Sequence, residues 1–164
     1  MATDVPIKYP YIGGTKWAFL KWADIPDASN DKRVYLRRLR IVQTPLFALY
    51  LHFIYLKDED RDPHDHPFNF WSLILRGGYT ERVWRIAPGI DRDRLHFTQT
   101  WGRFSFHKMS MRESHMIDTL KPHTTTLVFC GRKVKSWGFY PETGYVPYQQ
   151  YVTEKFAHSD DALA

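Results

Sequence analysis

The residues best suited to chemistry in this sequence are two histidines, His64 and His66, separated by one residue. Side chains alternate along an extended backbone, so both imidazoles would point to the same face and could reach one metal ion. Pro63 and Pro67 flank the pair and disfavour a helix at this place. A His-x-His pair also arises by chance, so the spacing nominates a metal site without establishing one.

The elements that must position this pair are predicted to be β-strands. Short β-rich runs follow one another at regular spacing from residue 46 to residue 140, which is typical of an all-β sandwich or barrel. A Gly-Gly pair at 77–78 separates two of the runs and favours a hairpin. Residues 35–42 fit a helix or a strand equally well. The predicted strands are Leu46–Leu56, Phe68–Leu75, Tyr79–Ile86, Leu95–Thr100, Phe104–Met109, His115–Leu120, Thr124–Cys130 and Val134–Tyr140.

The length of 164 residues predicts one domain, which can bury a hydrophobic core without covalent staples. Residues 1–30 mix prolines and glycines with aromatic residues, which favours an irregular N-terminal arm that packs on the body. We expect a single β-barrel domain over residues 31–151. Residues 152–164 are expected to form a frayed tail.

The composition excludes several classes of protein. A single cysteine, Cys130, excludes an intramolecular disulfide and a cysteine-based zinc site. No apolar run approaches the ~20 residues that cross a bilayer, and no signal-peptide pattern is present, so we expect a cytoplasmic protein without a membrane partner. The net charge of +5 and the arginines at 33–40 suit a solvated face, an anionic small ligand or nucleic acid. The sequence has no RNP, zinc-finger or P-loop pattern, so nucleic acid is the least favoured of the three.

The stretch from His64 to Glu81 resembles the first motif of the cupin superfamily, with His-x-His, an apolar strand and then Gly77. His115, after a polar turn, resembles the histidine of the second motif. The resemblance covers about residues 46–140 and implies a double-stranded β-helix, the jelly-roll barrel of that superfamily. It also implies that His64, His66 and His115 hold a divalent metal. The overall arrangement is similar to cupin-like proteins of bacteria and their phages.

Two departures from the family pattern bear on the metal. Phe70 stands where the first motif has a glutamate, and Ser110 and Arg112 stand where the second has proline and glycine. The remaining three-histidine set resembles the cysteine dioxygenase branch. Three neutral imidazoles leave the 2+ charge of an ion uncompensated, so its open positions should favour an anionic chelating ligand, such as a carboxylate or thiolate. Fe(II) is the expected metal, with Zn, Mn or Ni as alternatives.

A two-residue turn at 77–78 would fix the register of the next strand and nominate further residues. It would place Glu81 on the face of His66, about 25 Å away along a straight strand. A bend would shorten this distance, but direct ligation is disfavoured, and Glu81 is instead a candidate for binding substrate. The same register would place Arg85 across from Phe70. Arg85 is therefore a candidate for binding a substrate carboxylate or phosphate by a bidentate contact, or else an ordinary surface arginine.

Three more residues are candidates for the site. Arg112 is a second arginine that could orient a substrate. His52 could enter the barrel as a polar group that contacts the substrate, or could be a core histidine bonded to the backbone. His107 is an alternate metal ligand, eight residues before His115.

These features predict a metal-binding barrel that acts as a non-haem-iron, dioxygenase-like enzyme on a small anionic molecule. Three alternatives stay open. The first is a non-catalytic cupin module that captures a sugar or nucleotide. The second is a metal-independent sugar isomerase or epimerase that uses histidine and tyrosine as acid and base. The third is a nucleic-acid binder that uses residues 33–40 as a phosphate track. The oligomeric state is open, with a homodimer through an exposed sheet as one possibility.

Overall fold

A computed structural model of the chain describes residues 17–27, 33–58, 62–85 and 96–161, with side chains as far as residue 154. In this part of the chain lie eleven strands and one helix. None of its helices is both long enough and apolar enough to span a membrane. The strands are β1 Ala18–Pro26, β2 Val34–Gln43, β3 Ala48–Ile54, β4 Phe70–Arg76, β5 Gly78–Arg85, β6 His96–Gly102, β7 Phe106–Met109, β8 Glu113–Leu120, β9 Thr124–Cys130, β10 Gly138–Phe139 and β11 Val146–Pro147, and the helix is α1 Tyr148–Asp161.

The strands form two antiparallel sheets that enclose the core, and a small third sheet beside them. The larger sheet has six strands in the order β1-β2-β3-β9-β4-β7, and the smaller has three in the order β6-β5-β8. The third sheet is the short pair β10-β11. The all-β architecture expected from the regular strand spacing is therefore confirmed, and residues 35–42 are part of a strand.

Alternation of side chains along the strands explains where the core sits. In β9, Thr124, Thr126, Val128 and Cys130 are buried, while the residues between them are more exposed. Val83 of the smaller sheet is buried in the same apolar cluster as residues of β3, β4, β7 and β9. Since both sheets turn their apolar faces inward, the interior is one shared space.

The described residues towards both ends of the chain are more regular than expected. Of the irregular arm, residues 1–16 lie outside the described residues, but Ala18–Pro26 pairs with β2 along its length as an outer strand. Trp22 of this strand packs on Phe53, with ring centroids 5.9 Å apart. At the other end, helix α1 runs through most of the expected frayed tail, because Tyr151 and Val152 are buried against Phe139.

The Gly77-Gly78 pair does not form the expected hairpin. β4 belongs to the larger sheet and β5 to the smaller one, so the chain crosses between sheets at this point. Both glycines have positive φ, 73° and 141°. The N–H of Gly78 donates to Thr124 Oγ1 at 3.0 Å, which fixes the corner to the start of β9. The register deduced from a hairpin is therefore wrong, and Arg85 lies opposite Glu113 rather than Phe70.

We predict that Gly78→Ala destabilises the protein by about 2 to 4 kcal/mol, because its φ strains an L-residue and its new Cβ meets close-packed backbone. An ideal Cβ at this position would lie 2.3 Å from the carbonyl oxygen of Trp101. Gly102→Ala is the matched control, since nothing lies within 4 Å of its added Cβ. Denaturant unfolding of both variants measures the difference, and equal stabilities would contradict this account of the corner.

Candidate metal centre

The His-x-His segment is held in an extended conformation between two strands. The backbone of His64 exchanges two hydrogen bonds with that of His115 in β8, at 3.0 and 2.9 Å. On the other side, His64 forms a bridge with Phe139 of β10. This pairing confirms the extended backbone predicted from the flanking prolines, and it brings the two separated motifs next to each other.

Three imidazoles converge at this place. The ring centroids of His64, His66 and His115 lie 4.8 to 5.2 Å apart. Their candidate ligand nitrogens all lie within 4.8 Å of one another. Phe70, in the position of the missing glutamate, packs edge-on against His66 with ring centroids 4.8 Å apart. The cluster therefore offers three imidazole donors backed by an aromatic ring.

Glu81 orients one of these imidazoles. Glu81 is fully buried on β5, and its Oε2 lies 2.5 Å from His115 Nδ1. Its other oxygen, Oε1, accepts a hydrogen bond from Trp101 Nε1 at 2.7 Å. With the proton of His115 on Nδ1 and donated to Glu81, the lone pair of Nε2 points to the other two histidines. Glu81 thus acts on the site through His115 rather than as a direct ligand.

One of the nitrogen–nitrogen distances in the cluster fits a divalent ion. Two nitrogens bonded to one ion at about 2.1 Å, and at right angles, are about 3.0 Å apart. His66 Nε2 and His115 Nε2 are separated by 2.9 Å. A buried carboxylate that fixes the tautomer of a ligating histidine is the usual support of such an ion. The residues present could therefore hold a divalent metal through His64, His66 and His115.

The surroundings of the cluster shift the pKa values of two of its imidazoles in opposite directions. Burial, followed by the nearby His115, Arg38 and Lys135, lowers the pKa of His66 well below its ordinary value, so this ring is neutral at physiological pH. Burial also acts to lower the pKa of His115, but the hydrogen bond and charge of Glu81 outweigh it, and the pKa of His115 is raised.

Asp65, between the two histidines, points away from them and anchors the segment. It is buried, and its Oδ1 accepts a hydrogen bond from the N–H of Gly138 at 2.8 Å. Its Oδ2 accepts hydrogen bonds from Tyr140 Oη and from Lys135 Nζ. These contacts hold the histidine segment against β10.

The three histidines line a cavity of about 150 Å³ between the larger and the smaller sheet. Its walls are mostly apolar and aromatic, and residues of α1 (Tyr148 and Val152) contribute to one end. Apart from tyrosines, the polar side chains that line it are those of Arg38, His52, His64, His66, Ser72, His115 and Thr126. Such a space suits a small ligand with a few polar groups.

Of the other candidates from the sequence, some line the cavity and others lie outside it. His52 lines the cavity, whereas Arg85 and Arg112 are exposed and outside its lining. Arg85 is displaced because the hairpin register does not form. His107 is buried on β7, stacked on Trp101 with ring centroids 4.3 Å apart, and the three-histidine cluster does not include it. Burial lowers the pKa of His107 to about 4.

Sequence reasoning missed Arg38 as a site residue. Arg38 is 6% exposed, lines the cavity, and donates from Nε to His52 Nε2 at 2.8 Å. The available signal was alternation, because in a strand Arg38 shares the inward face of Leu36. That signal could not be used while residues 35–42 fitted a helix equally well.

Comparisons with known proteins bear on the fold. No protein-family model and no curated protein matches this sequence. Among solved structures, the chain is similar to FeII HppE with a TM-score of 0.50 at 12% identity, over 68% of this chain and 55% of that one. This match therefore spans just over half of the HppE chain.

Two further structures are similar at lower scores. KdgF from Halomonas sp. matches with a TM-score of 0.45 at 14% identity, over 70% of this chain and 95% of that one. An RmlC-like cupin from Shewanella frigidimarina matches with a TM-score of 0.43 at 12% identity, over 62% of this chain and 78% of that one. The two facing antiparallel sheets, in a fold similar to that of FeII HppE, confirm the all-β architecture expected from the sequence.

We predict that Glu81→Gln weakens divalent-metal affinity about 10- to 100-fold, because the amide no longer holds the tautomer and charge of His115. Competition with a chromophoric chelator measures the affinity. Asp118→Asn is the matched control, since Asp118 lies on the same strand as His115 but pairs with Arg82. Equal affinities in Glu81→Gln and wild type would show that Glu81 does not support the metal.

We predict that Asp65→Asn destabilises the protein by about 2 to 4 kcal/mol, because it leaves Lys135 without its buried anionic partner and weakens two further hydrogen bonds. Asp24→Asn, which breaks an exposed ion pair with Arg37, should cost less than about 1 kcal/mol. Thermal and denaturant unfolding compare the two. A loss for Asp65→Asn no larger than that for Asp24→Asn would mean that the anchor is dispensable.

Proposed function

We propose that this chain is a metal-dependent enzyme of the non-haem-iron, oxygenase-like type that acts on a small anionic substrate. The convergence of His64, His66 and His115 at the cavity, with His115 oriented by Glu81, carries the proposal. The similarity in fold to a structure that contains FeII supports iron as the first metal to test. Zn, Mn and Ni use the same donor set and are tested beside it.

The chain's own residues would have different roles at this site. The three imidazoles would hold the ion and leave its remaining positions open to the cavity. A bound Fe(II) would supply those open positions together with one-electron redox chemistry. Phe70 and the other aromatic lining residues exclude bulk water, which strengthens the electrostatic interactions inside. The neutral ligands leave the site positive overall, and this favours an anionic substrate.

The metal is tested on protein purified without a histidine tag. We predict that wild type binds about one divalent ion per chain. The double variant His64→Ala/His66→Ala should bind at least 100-fold more weakly, because two of three ligands are removed. His107→Ala is the control, since His107 is a buried histidine outside the cluster. Elemental analysis and metal titration give both quantities, and full metal content in the double variant would remove the proposal.

Turnover is tested separately. Protein loaded anaerobically with Fe(II) should consume dioxygen in a substrate-dependent way when small carboxylic, thiol and phosphonic acids are supplied. Zn(II)-loaded protein and the double variant are the controls without activity. Tight metal and acid binding with no turnover of any of them would instead support the non-catalytic binding module.

A further inference from the structure

We infer that Arg38 forms the second half of a two-point site, so that the ligand is a small organic acid whose carboxylate binds Arg38 while its other end binds the metal. This deepens the proposed function and rests on it. Arg38 lies on β2 of the larger sheet and His115 on β8 of the smaller sheet, and both line the same cavity. A ligand in this space can therefore contact both.

The environment of Arg38 leaves it with a positive charge and no anion. Its Nε donates to His52 Nε2, so His52 presents its lone pair to the guanidinium and is neutral. The guanidinium carbon lies 4.6 Å from the centre of the Tyr50 ring. Within residues 17–27, 33–58, 62–85 and 96–154, no carboxylate forms an ion pair with Arg38. A buried guanidinium without a carboxylate is costly, since neutral partners offset its desolvation only in part.

The orientation of the side chain suits a carboxylate. Arg38 and His52 are direct cross-strand partners, so the Nε contact fixes the plane of the guanidinium. A guanidinium carries five N–H donors, and the edge formed by its two Nη atoms can donate two parallel hydrogen bonds to one carboxylate. Tyr50 supports this plane from one side, and its Oη is bound to Gln43. The structure thus presents a positioned fork rather than a mobile charge.

The size of the cavity limits the acid. A cavity of about 150 Å³ is of the size that holds a benzene molecule, about six non-hydrogen atoms. A neutral sugar in this space would leave Arg38 without an anion. The class that satisfies both the metal and Arg38 is therefore a short acid with a metal-binding group a few bonds from its carboxylate.

The experiment uses the full chain loaded with Co(II), whose visible spectrum reports ligands entering the metal site. The probes are malonomonohydroxamate and succinomonohydroxamate, each of which carries a free carboxylate beside a metal-chelating hydroxamate. Acetohydroxamate, and the methyl ester of each probe, chelate the metal without a free carboxylate. We expect at least one of the two acids to bind wild type 10-fold or more tightly than its own ester.

Variants assign this preference to Arg38. In Arg38→Gln the preference should disappear, while the variant still binds Co(II) and acetohydroxamate still chelates it. Arg38→Lys keeps the charge without the fork and should retain only part of the preference. Arg37→Gln removes the neighbouring arginine, which is exposed and paired with Asp24, and should retain all of it.

The experiment distinguishes failure of this inference from failure of the proposed function. Wild type that takes up Co(II) but binds acids and esters equally would overturn the role of Arg38 and leave the metal site standing. A preference that persists in Arg38→Gln would do the same. Wild type that does not bind Co(II) would overturn the proposed function together with this inference. Since the acid–ester comparison is made in wild type, the inference remains falsifiable even if Arg38→Gln does not fold.

Discussion

The pairing of His64 with His115 through their backbones is the constraint on which the site depends. Two hydrogen bonds join the extended histidine segment to β8, and β10 holds it from the other side. Without this pairing the His64–His66 segment would not be held beside β8, and the three imidazoles would not share one ion. Because the contact is made by backbone atoms, it fixes the position of both residues while leaving their side chains to serve the cavity.

Two buried carboxylates near this pairing each have a defined partner, whereas one buried guanidinium does not pair with a carboxylate among the described residues. Glu81 is matched to His115, and Asp65 to Lys135 on the opposite face of the histidine segment. Arg38 is the exception in the cavity, since its partners among the described residues are a neutral imidazole and an aromatic ring. A bound ion would add positive charge to the same space. The site as a whole is therefore complementary to an anion.

Much of this could be predicted from the sequence, and the limits have physical causes. Strand alternation and the flanking prolines predicted that His64 and His66 share a face, because that depends on local backbone geometry alone. The glycine pair at 77–78 led to the wrong prediction of a hairpin, because residues with positive φ occur at a crossover between sheets as well as in a hairpin turn. That error moved Arg85 towards the site and left Glu81 too far from it. Arg38 was missed because the pattern of residues 35–42 does not distinguish a helix from a strand.

The central claim is that three imidazoles from two separated stretches bind one ion. X-ray absorption spectroscopy on the Co(II)-loaded full chain tests it most directly, because scattering from imidazole rings can be counted. The account predicts about three imidazole nitrogens at about 2.1 Å from the metal, falling to about one in His64→Ala/His66→Ala. A metal surrounded by oxygen atoms alone, or an imidazole count that the double variant does not change, would contradict it.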